Sequence, residues 1–113
     1  MIVNKTNSEH YIWGENCEGW RLLDEDNVSV IHEKMPPGTK EKKHYHSKKR
    51  QFFFIIKGNV ILNIEGQRFH LNENDGIEIK PERKHQIFNE SNNDAEFLVI
   101  SVPAAKNDRT DLE

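Results

Sequence analysis

Three of the six histidines fall at spacings that a metal site can use. The run Gly38-Thr-Lys-Glu-Lys-Lys-His44-Tyr-His46 is followed by Gln51 and Gly58, and then by Pro81-x-x-x-His85-x-x-x-Asn89. On an extended strand successive side chains alternate faces, so His44 and His46 project together while Tyr45 points away. Imidazole nitrogens suit Zn, Fe, Ni, Mn and Cu, and an amide oxygen is a weaker, neutral ligand. His44, His46, Gln51 and His85 therefore form a competent set for one divalent transition metal ion per chain. The alternative for Gln51 is an amide that orients a histidine or a water beside the ion. No acidic residue lies between His46 and Glu65, so no slipped register puts a carboxylate near Gln51. A donor set without charge leaves the ion uncompensated, which favours a small anionic ligand. These residues offer no general base of their own.

The elements that must position this set read as strands. Short β-rich runs alternate with turn signals, and no long stretch has apolar residues at helical spacing. Trp20-Arg-Leu-Leu23 and Val28-Ser-Val-Ile-His-Glu-Lys-Met35 are strand candidates, the second stopped by Pro36-Pro37-Gly38. Runs over 51–57 and 60–64 flank Gly58-Asn59, a two-residue link that predicts a tight hairpin. A second hairpin is predicted at Glu65-Gly66, and Asn72-Glu-Asn-Asp-Gly76 is a further turn. About nine or ten strands at this spacing predict an all-β barrel or two-sheet roll. The 113 residues fit one domain, 1–113, with an N-terminal arm over 1–19 and a loose or surface-laid tail over 103–113. The terminal Leu112-Glu113 reads equally as native or as the remnant of an expression tag.

Composition narrows the function classes. With 35% hydrophobic residues and apolar runs such as Phe52-Phe-Phe-Ile-Ile56, the chain can bury a core. A net charge of −3 supplies no global attraction to nucleic acid or to an anionic membrane. The basic cluster Lys40, Lys42, Lys43, Lys48, Lys49 and Arg50 has no aromatic stacking platform beside it and reads as solvated loop charge. Cys17 is the only cysteine, which rules out an internal disulfide and points to a reducing compartment. The first ten residues lack the apolar core of a signal peptide, so the expected location is the cytoplasm.

The spacing of Gly38, His44, His46, Gln51 and Gly58 resembles the first motif of the cupin superfamily, with Gln51 in the place of the motif's Glu. His85 and Asn89 match the second motif, in which Asn74, Lys80 and Glu82 stand where the family has Gly, Pro and Gly, while Pro81 keeps a turn. The resemblance implies a cupin-type double-stranded β-helix, a conical jelly-roll barrel with a metal at its wider end. It also implies lyase, isomerase or sugar-acid tautomerisation chemistry, as in the small cupins of uronate catabolism that carry Gln here. Dioxygenase chemistry is the variant if the ion is Fe(II). Two other readings stand beside a metalloenzyme: a sugar- or carboxylate-binding or sensing module without turnover, and a protein-interaction domain.

Strand parity puts Phe53 on the face of Gln51, and His32, Met35, Ile87, Asn89 and Phe97 complete the set of candidate pocket residues. His10 and His70 read as surface groups, and Arg109 as solvent-exposed. A sheet protein of this size has edges and apolar outer strands that association covers, so the expected assembly is a symmetric homodimer.

Overall fold

The computed structural model describes residues 1–113, which form eleven strands and no helix. In chain order these are β1 (Glu9–Trp13), β2 (Cys17–Asp24), β3 (Ser29–Met35), β4 (His44–His46), β5 (Arg50–Lys57), β6 (Val60–Ile64), β7 (Gln67–Leu71), β8 (Gly76–Ile79), β9 (His85–Phe88), β10 (Ala95–Val102) and β11 (Arg109–Asp111). They make two antiparallel sheets, one ordered β1-β2-β3-β10-β5-β8 and the other β11-β4-β9-β6-β7. This is the jelly-roll arrangement expected of the sequence, and no helix is long and apolar enough to cross a membrane.

Alternation along the strands decides which side chains fill the space between the sheets. On β5, Gln51, Phe53 and Ile55 are buried while Phe52 and Ile56 are exposed. On β10, Phe97, Val99 and Ser101 face the same interior. The opposite sheet contributes Val60, Leu62 and Ile87. Each large apolar side chain withdrawn from water in this way contributes about 1.5–3 kcal/mol, an upper figure given the compactness of real unfolded chains. The apolar packing ends at Phe53, which stacks on Phe97 at 5.8 Å and presents its ring to His85 at 6.5 Å. Beyond Phe53 the interior turns polar.

Two connections differ from the sequence expectation. Gly58-Asn59 does not close a hairpin, because β5 pairs with β10 and β8 whereas β6 pairs with β7 and β9. The glycine is required for another reason. Its φ is 77°, and a Cβ there would lie 2.6 Å from the Asp94 carbonyl, so the chain crosses from one sheet to the other through a point too tight for a side chain. The tail over 103–113 is not loose: β11 pairs with β4, Arg109 opposite His46 and Asp111 opposite His44. Within the arm over 1–19, β1 and the start of β2 extend the first sheet. The hairpin at Glu65-Gly66 forms as predicted, with both residues at positive φ and Ile64 opposite Gln67.

Candidate metal centre

Parity places His44 and His46 inward from β4, and β9 brings His85 directly opposite His44. The three rings converge, with centroids 4.3 Å apart for His44 and His85, 4.9 Å for His44 and His46, and 5.6 Å for His46 and His85. One ring nitrogen from each lies within 4.8 Å of the others. All three residues are buried.

Their hydrogen bonds set which nitrogen is free. The Nδ1 of His44 lies 2.8 Å from the Lys42 carbonyl, that of His85 2.9 Å from the Arg83 carbonyl, and that of His46 3.3 Å from the Asp108 carbonyl. A carbonyl oxygen only accepts, so each Nδ1 carries the proton and each Nε2 keeps its lone pair. Burial holds the imidazoles neutral: His44 is lowered to about 3 by desolvation and then by His85, and His46 to about 4 by desolvation and then by Lys49. His85 is lowered by desolvation too. Neutral rings with fixed tautomers are what metal ligation asks of histidine.

Three buried acceptors at the site lack any partner: the Nε2 of His85, the Oε1 of Gln51 and the Oε1 of Glu41, which lies 3.6 Å from the Nδ1 of His44. Gln51 reaches in from the facing sheet, and its amide nitrogen donates to Ser101 Oγ at 3.1 Å, which leaves the oxygen free. An unpaired buried acceptor costs about 1–3 kcal/mol. A cation held between the imidazoles would satisfy the Nε2 of His85, so the three histidines fit a divalent metal ion.

The local chain supports this arrangement. The turn before β9 puts Glu82 at φ 71° and its N–H on the His46 carbonyl at 2.6 Å. Asn74, the other residue standing where the resembled motif has glycine, is likewise at φ 71°. The Asp108 carboxylate accepts from the backbone N–H groups of Ser47, Lys48 and Lys49 at 2.8–3.1 Å, which fixes the loop after His46.

A family model described as Cupin domain matches residues 31–101, more than half of the chain. The chain belongs to the cupin family. It is 26% identical over 69% of its length to an uncharacterized protein of Methanocaldococcus jannaschii, of which it covers 62%, and it spans about half the length of other curated relatives it matches. Its fold is similar to that of the polyketide cyclase RemF from Streptomyces resistomycificus, with a TM-score of 0.86 and 15% identity over all of this chain and 85% of that one. It is also similar to a sugar phosphate isomerase of the cupin superfamily from Silicibacter pomeroyi, with a TM-score of 0.78 and 21% identity over 90% of this chain and 75% of that one. At such identities the likeness carries the fold alone.

In this cupin a cavity of about 250 Å³ opens beside the histidines. Of the expected pocket residues only Phe53 lines it. Met35, Ile87 and Phe97 are fully buried core. Asn89 is a structural amide, donating to the Met35 and Asn93 carbonyls and accepting from Ser91. His32 is turned away: its neighbours Ile31 and Glu33 line the cavity, while its own ring packs edge-on against Trp20 and its Nε2 meets Glu96 at 2.8 Å. Cys17 is a buried core residue. Among the cavity residues outside the motifs are Tyr11, Glu33, Glu41, Lys49 and Arg109. For Glu33 a signal existed, since it holds an inward position of β3 between Ile31 and Met35. Lys49 belongs to the basic cluster that reads as solvated, and Arg109 to the tail.

Proposed function

We propose that His44, His46 and His85, with the amide oxygen of Gln51, hold one divalent transition metal ion per chain, and that the cavity beside them turns over a small anionic molecule by lyase, isomerase or tautomerisation chemistry. The observation that carries this reading is the common tautomer: three Nδ1–H groups bound to main-chain carbonyls leave the Nε2 of each buried ring as its free acceptor, and that of His85 has no partner. A divalent ion held there supplies Lewis acidity toward a ligand oxygen. The chain's own residues do the rest. Lys49 and Arg109 bring positive charge to the cavity wall and suit a carboxylate or other anion. Phe53, Val99 and Ile31 give an apolar side that excludes water from the bound molecule.

Elemental analysis of the purified protein, beside His44→Ala and Gln51→Ala, tests the reading. One ion per chain is expected, lost in His44→Ala and held more weakly in Gln51→Ala. No ion after reconstitution with Zn, Fe, Ni, Mn and Cu in turn would overturn it. The same purified protein should have the molar mass of a homodimer, with exposed Phe52, Ile56 and Val102 as the apolar surface that a second copy covers.

A further inference from the structure

Across three neighbouring strands of the first sheet, Tyr11, Gly19 and Glu33 stand in one row: Tyr11 is opposite Gly19 and Gly19 is opposite Glu33. The tyrosine ring lies over the glycine, so that a Cβ at position 19 would be 2.3 Å from the ring. Because Gly19 has no side chain, the phenol crosses its strand and brings Oη to 3.5 Å from Glu33 Oε2. The Arg21 guanidinium also lies over the ring, 4.5 Å from its centroid. Tyr11 and Glu33 both line the cavity that holds His44 and His46. Glu41, its side chain 9% exposed, belongs to the imidazole side of the cavity, with its Oε1 3.6 Å from the Nδ1 of His44. The wall made by Tyr11, Gly19 and Glu33 is built from non-adjacent positions around the Glu33 carboxyl, and the metal reading leaves it without a task.

We propose that Glu33 is the proton-transfer residue of this site, acting on a carbon next to a carbonyl in a small oxo- or hydroxy-acid anion, and that Tyr11 is its positioning residue. The inference rests on the reading of the cavity as a reaction site. The Glu33 carboxylate takes the proton; the C–H electron pair becomes a C=C bond and the carbonyl π pair moves onto oxygen. The protonated Glu33 then returns the proton to the carbon framework, so no oxidant or reductant enters. Lys49 and Arg109 on the cavity wall offset the negative charge of the substrate and of the enolate. A cavity of about 250 Å³ suits a small molecule.

Glu33 is suited to this in a second way. Desolvation raises it to about 7, against the lowering effects of Arg109 from β11, Tyr11 from β1 and Arg21 from β2. Glu41, from the segment before β4 and beside His44, is raised above its ordinary value by desolvation and then by Glu33. Tyr11 is raised by desolvation and then by Glu33, so it stays a phenol and donates. A base poised near the working pH takes and releases a proton with little driving force lost.

Two measurements on the full chain test the proposal. Carboxyl ¹³C NMR of the metal-free protein, with the Glu33 signal identified by its absence in Glu33→Gln, should give a midpoint near neutrality that rises in Tyr11→Phe. A midpoint in the ordinary carboxylate range, or one that Tyr11→Phe does not move, would overturn the assignment. Zinc-loaded protein in D₂O with pyruvate, 2-oxobutyrate and glucuronate should place deuterium next to the carbonyl of at least one. Glu33→Gln should slow this by about 100-fold or more, with zinc content unchanged and part of the rate restored in Glu33→Asp. Equal exchange in wild type and Glu33→Gln would also overturn it. If wild type holds no metal, the metal reading fails while the titration still decides the role of Glu33.

Discussion

The two walls of the cavity are built by different means. On the sheet of β4 and β9, three imidazoles are each tied to a main-chain carbonyl close to their own strand or to β11. On the sheet of β1, β2 and β3, one carboxyl is set by the register of three strands and by the absence of a side chain at Gly19. The imidazole wall depends on local spacing, and the acid wall depends on assembly. A ligand set that must hold an ion gains from backbone partners that cannot rotate away, whereas a group that passes protons gains from a partner that orients it at 3.5 Å without saturating it. The walls should therefore fail separately, and substitutions in one should leave the other's readout standing.

The largest separation is expected from His44→Ala. Losing a direct ligand should weaken zinc binding by more than the roughly 10–100-fold that losing an outer partner costs. The Glu33 titration of the metal-free protein should survive, because β4 does not carry Tyr11 or Gly19. Competition with a chelator of known affinity measures the first and carboxyl NMR the second. Loss of both together would mean that the walls are one cooperative unit.

Gly19→Ala attacks the other side. With a Cβ 2.3 Å from the Tyr11 ring, the ring or the strand must move, at a cost of about 1–3 kcal/mol typical of overpacking. Chemical denaturation should show that loss, while zinc stoichiometry stays at one per chain. A variant as stable as wild type would mean that the ring yields freely and does not hold Glu33.

A smaller effect follows from the acid itself. Glu33 rises from 4.5 to about 7 on folding, so between those pH values the native state binds more protons than the unfolded one and stability falls as pH rises. Above pH 7 the folded protein carries the full cost of an ionised, desolvated carboxylate. Glu33→Gln removes that cost, on the order of 1–2 kcal/mol after allowing for solvent screening. The metal-free variant should melt higher than wild type at pH 8, with a smaller difference at pH 5. The reverse order would place the Glu33 carboxyl in the ordinary range.

How legible each wall was in the sequence follows from the same difference. His44 and His46 are two residues apart, and strand parity alone puts them together; the turn before His85 needs only residues that accept positive φ. Glu33 meets Tyr11 across 22 residues through two strand pairings, and no spacing rule reports that. The Arg-Thr-Asp of β11 carries no apolar alternation, so a strand that pairs through its backbone with β4 reads as tail. At Gly58-Asn59 the chain turns between sheets and not within a hairpin, and a glycine needed for a crossing has the same sequence signature as one needed for a hairpin. His32 failed for a simpler reason: Ile31 and Glu33 both point inward, so the residue between them points out.

The smallest effect concerns strain held in the imidazole wall. Glu82 is at φ 71°, a conformation that costs a residue with a side chain about 1–2 kcal/mol, and its N–H holds the His46 carbonyl. Glu82→Gly removes the steric cost but adds about 0.4–1 kcal/mol of unfolded-chain entropy. The net gain should be roughly 0.5–1 kcal/mol, read as a rise of a few degrees in melting temperature. Asn74→Gly, at the same φ, should gain less, because asparagine tolerates the left-handed region better than glutamate does. If Glu82→Gly instead lowers both the melting temperature and zinc affinity, the glutamate side chain contributes to the turn that carries His85, and this wall too depends on more than its backbone.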